Sequence, residues 1–301
     1  MKLLWFFLAV VHLQAFEYGL KPVKVSDEIY CFFGKAEAMN RHNNGNMVNS
    51  CFVDMKSSWL VIDSGPTYAY AKESLAVMKK IIPLDVSYVI NTHIHDDHWL
   101  GNGFYKKHGA KIIGSYVFKS HINPNETTRM QKNISKVAFK KTEIILPSIF
   151  IHKDRTLRVG DNVVKLIHLM GSGHSRGDII VHIPKLKVAF AGDLIFNSRI
   201  LSLRDGDINN WMNQLKGLES MNLDYLIGGH GKLSSKDSLL MTKKYLSLLK
   251  NAVQKLLDEG KDIDEAVATV DFKEFKKIPM YKELHKRNIS KAYQTLEWDD
   301  E

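Results

Sequence analysis

The sequence predicts a layered α/β fold with covered sheets, and three observations carry that expectation. Short apolar runs with strand character alternate with segments of helical spacing along the chain. The 301 residues are 45% hydrophobic and 25% charged, the balance of an ordinary globular protein with room for one large domain or two modest ones. No linker, low-complexity tract, internal repeat or run of 18 apolar residues divides the chain. The expected organisation is a main domain over 16–235 and a helical C-terminal extension over 236–301 packed on it.

In chain order, Lys2 precedes the apolar run 3–11, and Leu13-Gln14-Ala15 offers a cleavage site, so 1–15 reads as a secretory signal peptide. The run is too short for an ordinary membrane span. The mature chain is expected to begin near Phe16 and to work in the periplasm or outside the cell. No Cys lies near the cut, so no lipid or membrane anchor is expected after cleavage. Residues 28–33 form a strand pattern and 40–46 an Asn-rich loop; 50–54 and 59–63 form a hairpin around Lys56-Ser57-Ser58. Ser64-Gly65-Pro66 breaks the pattern before a helix over 70–81 and a strand over 86–90. A helix at 103–108 and a strand at 111–114 lead into 115–146, which is polar, irregular and partly helical, a place for residues that face substrate. Strands are expected at 149–152, 163–169, 179–183, 188–191 and 223–227. Trp211, with Ile208, Leu215 and Leu218, has the spacing of a core-facing helix. Residues 238–257 place Leu239, Leu246, Leu249, Val253 and Leu257 on one face of a long helix, and 262–270 and 281–296 are helical too.

The formal charge is +9, but its basic pairs, such as Lys79-Lys80 and Lys243-Lys244, are scattered. A nucleic-acid partner calls for a clustered basic stripe with interleaved aromatics, so none is expected. The excess charge favours anionic small molecules weakly. Cys31 and Cys51 each lie in a strand pattern, and both a disulfide and two buried thiols are open readings.

The densest chemistry is the hexad His93-Ile94-His95-Asp96-Asp97-His98, which follows the apolar run 86–90. Imidazole nitrogen and carboxylate oxygen are ligand types that suit Zn²⁺ and other first-row divalent metals. In an extended segment alternate side chains share a face, so His93 and His95 are expected to point at one ion. Asp97 and His98, just past the strand, turn toward a second. Three later segments repeat the design of an apolar strand ending in a candidate ligand with small residues beside it: His174 after Gly171-Ser172-Gly173, Asp193 after Gly192, and His230 after Gly228-Gly229.

With these residues in this order, the stretch from about 20 to 235 resembles the metallo-β-lactamase-fold hydrolases. The upstream Asp63-Ser64-Gly65 matches a further element of that family. The resemblance implies a four-layer αββα sandwich with the site at one edge. It assigns His93, His95 and His174 to one metal, and Asp97, His98 and His230 to a second, with Asp193 bridging two Zn²⁺. Asp63 is implied to support a ligand rather than to be one. Within the family the chain looks most like the exported zinc metallohydrolases associated with quinoprotein-relay and sulfur-oxidation systems. The Asn-rich loop and the segment from Tyr281 to Asn288, with Tyr293 and Glu297, carry that narrower likeness.

The expected activity is binuclear, zinc-dependent hydrolysis of a small ester, thioester, lactone or amide, since a metal lowers the pKa of its water toward neutrality. Asp97 is the candidate catalytic residue, orienting that nucleophile. A β-lactamase is the alternative. The family resemblance puts Cys or Ser at the Asp193 position of the β-lactamases that dominate resistance, and Asp there in thioesterases and general hydrolases. A phosphodiesterase or nuclease is disfavoured by the lack of a nucleic-acid-binding appendage, and a flavodiiron-type oxidoreductase by His95 and the lack of a flavin domain. A non-catalytic periplasmic metal- or ligand-binding module is the third reading. His42, His108, His121, His152, His168 and His182 read as surface or strand histidines, with His42 and His121 best placed to border the site. Arg199 and Arg204 read as solvated charges, with a role on an anionic substrate group as the sharper alternative. His285 reads as a packing residue.

Overall fold

The computed structural model describes residues 16–232 and 235–299; the expected signal peptide at 1–15 lies outside the described residues. Two sheets lie face to face. The first has seven strands in chain order: β1 (Val23–Lys24), β2 (Ile29–Phe32), β3 (Ser50–Asp54), β4 (Trp59–Ile62), β5 (Val86–Ile90), β6 (Lys111–Ser115) and β7 (Ile149–Ile151). Its first four strands are antiparallel and the rest join in parallel. The second contains β8 (Arg155–Val159), β9 (Asn162–His168), β10 (Ile179–Ile183), β11 (Val188–Phe196) and β12 (Tyr225–His230), with only β11 and β12 parallel.

Helices cover both outer faces. Around the first sheet run α1 (Tyr68–Ile81), α2 (Asp96–Trp99), α3 (Asn102–Lys107), α4 (Val117–His121), α5 (Arg129–Asn133) and α6 (Lys136–Phe139). Against the second lie α7 (Ile208–Glu219), α8 (Lys236–Asp258), α9 (Ile263–Thr269) and α10 (Tyr281–Asp299). Strand periodicity decides which residues go where. On β4, Leu60 and Ile62 enter the layer between the sheets, where they join Leu166, Val181 and Phe190. Trp59 and Val61 turn outward onto Tyr70, Leu75 and Met78 of α1. On the other side Ala189 and Leu226 pack under Trp211, Leu215, Leu246 and Leu249. Each such large side chain, fully buried, contributes about 1.5–3 kcal/mol. The result is the αββα sandwich expected.

The helix starts follow from side-chain capping. Thr67 Oγ1 accepts from the Tyr70 N–H at the start of α1, and Asp207 accepts from the Asn210 N–H at the start of α7. One detail departs from the sequence expectation and another settles what it left open. β8 was not expected: its inward Leu157 and Val159 sit between exposed Arg155, Thr156 and Arg158, and the basic residues hide the alternation. Cys31 and Cys51 stand opposite each other in the β2–β3 register and form a disulfide, a pairing that only the register could decide.

The C-terminal helices share a core with α7 and β11. His285 packs as expected: its ring stacks on Tyr281, and its Nδ1 lies 2.9 Å from the Tyr245 hydroxyl. Asn288 of α10 reaches the loop after β11, accepting from the Leu203 N–H and donating to the Leu201 carbonyl, both at 2.9 Å. Among the described residues no helix is long and apolar enough to cross a membrane.

Candidate metal centre

The seven candidate ligands meet at one edge of the sandwich, and the local geometry differs from the simplest reading of the hexad. The extended run stops at Ile90, and His95 stands at the N-terminal boundary of the single turn α2. His93 and His95 therefore converge through a turn, not along one strand face. Asp97 and His98 lie on α2 itself. His174 sits in the loop between β9 and β10, held by Asp178, whose carboxylate accepts from the His174 N–H at 2.9 Å and the Ser175 hydroxyl at 2.6 Å.

Asp193 lies inside β11, where the sequence reading ended the strand at Ala191. The ladder to β12 shifts register on both sides of Gly192, which frees the following carboxylate from regular pairing. Gly229 explains the crowding: a Cβ there would stand 2.0 Å from Asp193 Oδ1 and 2.9 Å from His98 Cε1. His230 closes β12.

The donor atoms form two groups, His93, His95, His174 and Asp193 in one and Asp97, His98 and His230 in the other, each within 4.8 Å of one another. Asp193 belongs to both by distance. Its Oδ2 is 3.2 Å from His174 Nε2 and 3.1 Å from His230 Nε2, while Oδ1 is 3.3 Å from His98 Nε2. His93 Nε2 and Asp193 Oδ1 are buried without a hydrogen-bond partner, an arrangement that protein interiors rarely leave uncompensated. His95 Nδ1 and His174 Nε2 face each other at 2.8 Å, and His98 Nε2 and His230 Nε2 at 3.4 Å. Converging lone pairs, orphaned donors and a bridging carboxylate fit divalent cations of the zinc type.

The protonation states of the first group agree, while in the second burial is outweighed by the carboxylates of Asp193, Asp63 and Asp97, which hold His98 well above the ordinary imidazole range. Burial, reinforced by neighbouring imidazoles, holds His93 well below the ordinary imidazole range. Burial does the same for His174 and, more mildly, for His95. Burial opposes charge on Asp193, but the surrounding imidazoles overcome it and hold the carboxyl well below its usual range. Neutral imidazole and ionised carboxylate are the forms that bind metal.

A second ring of residues orients these ligands. Asp63 accepts from His98 Nδ1 at 2.8 Å, the supporting role that the resemblance implied. Thr92 Oγ1 lies 3.0 Å from His93 Nδ1, and the Met47 carbonyl 2.6 Å from His230 Nδ1. Besides Thr92 and Met47, two charged members were missed in the sequence. Arg129 donates to Asp97 Oδ1 at 2.6 Å and clamps Asp96 at 2.8 and 3.0 Å. Asp205 Oδ2 lies 2.8 Å from His95 Nε2. Arg129 belongs to the segment read as substrate-facing, but nothing in its sequence singled it out. Asp205 is an ordinary acidic loop residue until the loop is folded against His95.

Arg199 corrects the solvated reading: it is 6% exposed and close to His230. Arg204 is exposed and paired with Asp205 at 2.7 Å. His42 and His121 are exposed, and neither joins a ligand group.

Comparison with known proteins places this geometry. The model of the metallo-beta-lactamase superfamily matches residues 43–230. The chain is 25% identical over 235 residues to a "Metallo-beta-lactamase type 2" of Bacillus sp. (strain 170), covering 76% of this chain and 80% of that protein. It is also 25% identical over 185 residues to "Acyl-coenzyme A thioesterase MBLAC2" of Gallus gallus, covering 57% of this chain and 63% of the thioesterase. A solved metallo-beta-lactamase from Pontibacter korlensis superposes with a TM-score of 0.60 at 19% identity, over 76% of this chain and 99% of that one, a likeness of fold. The family match spans the hexad through His230 and most of both sheets, and the chain belongs to the metallo-beta-lactamase superfamily.

Proposed function

We propose that this protein is a binuclear, zinc-dependent hydrolase of a small ester, thioester, lactone or amide. The single observation that carries the reading is Asp193, whose carboxylate reaches His174 of one ligand group and both His98 and His230 of the other. A carboxylate in that place links two ion sites, and the complete ligand set around it argues against a site that only stores or carries a ligand.

When bound, the ions supply an acidified water and a Lewis acid for the carbonyl oxygen. The chain's own residues set the geometry. Asp97 Oδ1 is fixed by Arg129, which turns Oδ2 toward His230 Nε2 at 3.5 Å and His98 Nε2 at 3.7 Å. Asp97 Oδ2 is thus the atom positioned to orient the attacking water. Asp63 and Thr92 keep His98 and His93 from rotating.

The relative named as a thioesterase supports a carbonyl substrate, as does Asp193 where the resistance β-lactamases carry Cys or Ser. β-Lactam hydrolysis is the second reading, favoured by the relative of which this chain covers 80%. The Cys31–Cys51 disulfide supports an oxidising, exported location with 1–15 as leader. The narrower kinship with the quinoprotein-relay and sulfur-oxidation metallohydrolases belongs to the same proposal. The test is a hydrolysis screen of the zinc-loaded mature protein on thioesters, esters, lactones and a chromogenic cephalosporin, with metal content measured alongside. Thioester or ester turnover is expected, falling about 10²–10⁴-fold in Asp97→Asn. Unchanged turnover in that variant with metal still bound rejects the catalytic assignment, and cephalosporin as the best substrate selects the second reading.

A further inference from the structure

Beside the ligand groups opens a cleft of about 530 Å³, lined by Arg129, Arg199 and Arg204 of the main domain, Arg287 and Lys291 of α10, and one acidic residue, Glu37. Two of these cations are already balanced, Arg129 by Asp96 and Asp97 and Arg204 by Asp205. No ion pair is found among the described residues for Arg199, Arg287 or Lys291.

Arg199 makes the imbalance informative. It is 6% exposed, and its guanidinium lies over the Phe196 ring at 5.5 Å. Its Nη1 approaches His230 Nδ1 at 3.3 Å, but that nitrogen is 2.6 Å from the Met47 carbonyl. With Nε2 turned to the ligand group, Nδ1 carries the ring hydrogen and donates it to Met47, so it has no lone pair for Arg199. The remaining contact of the guanidinium is a long one, from Nε to the Ile200 carbonyl at 3.4 Å. Asp193, Asp97 and Glu283 act on its charge only from beyond ion-pair distance, and a buried cation without a direct partner is costly unless a ligand supplies one.

We propose that the substrate carries an anionic group, a carboxylate or a phosphate, which docks in this cleft against Arg199, Arg287 and Lys291 while its scissile bond lies at the metal-ligand groups. The inference rests on the hydrolase reading and names the substrate class within it. Arg287 and Lys291 lie on α10, beyond the residues that the family model matches, so this selectivity belongs to the C-terminal helices of this chain.

The test compares two esters of the same shape, mono-4-nitrophenyl glutarate and 4-nitrophenyl pentanoate, which differ by a carboxylate in place of a methyl group. Binding of glutarate and of phenyl phosphate to the zinc-loaded protein is measured separately by calorimetry, which tells a carboxylate from a phosphate. The expected kcat/KM preference for the anionic ester is about tenfold or more, as is the loss of anion affinity in the double variant Arg287→Gln/Lys291→Gln. Arg287→Lys/Lys291→Arg, which keeps the charge, retains both. Anion binding that disappears in the Gln variant without hydrolysis of either ester supports the cleft and sinks the hydrolase reading. Equal turnover of both esters, with neither anion bound or with binding indifferent to the Gln variant, overturns the anionic substrate and leaves the hydrolase reading standing.

Discussion

Asp63 Oδ2 and His98 Nδ1 are 2.8 Å apart in the buried floor of the site, and the same carboxylate accepts from the Thr92 N–H and hydroxyl at 2.8 Å each. The contact places a hydrogen on His98 Nδ1 and leaves Nε2, which faces Asp193, as the nitrogen that would ligate a metal. Asp63 adopts φ +56, a left-handed conformation that Asn also tolerates. Asp63→Asn therefore tests the contact without disturbing the backbone. An amide has one acceptor oxygen for two N–H donors, so its nitrogen would oppose either the Nδ1 hydrogen or the Thr92 N–H, and metal affinity is expected to fall about 10–100-fold. Chelator competition on the two proteins checks it, and equal affinities would show that His98 needs no such partner.

Arg129 acts on the opposite side of the same group. Its fork holds Asp96 and Asp97 together, a geometry that a lysine ammonium cannot reproduce. Arg129→Lys is expected to keep zinc bound while kcat/KM falls about 10–100-fold, because Asp97 loses its fixed orientation. Metal analysis and steady-state kinetics on one preparation decide the matter. Loss of zinc instead would make Arg129 a support of the metal rather than of the catalytic carboxylate.

How much of this was legible in the sequence follows from the range of each interaction. Ligand order, strand alternation and the amphipathic face of α8 are local patterns, so they survive in one dimension. Arg129 and Asp205 stand 32 and 110 residues from the ligands they hold, and their types are common in surface loops. Only packing brings them to the site. Arg199 looked solvated because charged loop residues usually are; burial beside His230 depends on the α10 clamp that no periodicity reveals. The Cys31–Cys51 bond needed the β2–β3 register. The extended reading of His93 and His95 failed because α2 begins three residues after His93, within a segment too short to show helical spacing.

His285 sets a pH limit on the C-terminal layer. Burial lowers its pKa, although the Val270 backbone and Asp271 pull the other way, and the Tyr245 hydroxyl and the Tyr281 and Phe272 rings surround it. The unfolded chain then takes up the proton first as pH falls. The stability that a neutral His285 provides is complete above about pH 6.5 and is lost as pH drops below that value toward its lowered folded pKa. Melting temperature is expected to fall more between about pH 7.5 and pH 5.5 in the parent than in His285→Gln. Parallel pH profiles of the two proteins would remove His285 from the account.

Asn288 links that layer to the metal centre. Its side chain is 1% exposed and fully used: Oδ1 takes the Leu203 N–H, and Nδ2 serves the Leu201 carbonyl and, at 3.0 Å, the Tyr245 hydroxyl. The loop so held carries Arg199 into the cleft and Asp205 onto His95. Asn288→Ala leaves a backbone donor and acceptor buried without partners, at about 1–3 kcal/mol each. That cost lowers the melting temperature by several degrees. A second effect separates positioning from simple packing: with Asp205 less firmly seated, affinity for the metal at His93, His95 and His174 is expected to fall about tenfold. Measured well below the melting temperature, that affinity reports on the loop rather than on global unfolding. If the variant melts earlier yet binds zinc as tightly as the parent, Asn288 stabilises the C-terminal helices and does nothing for the site.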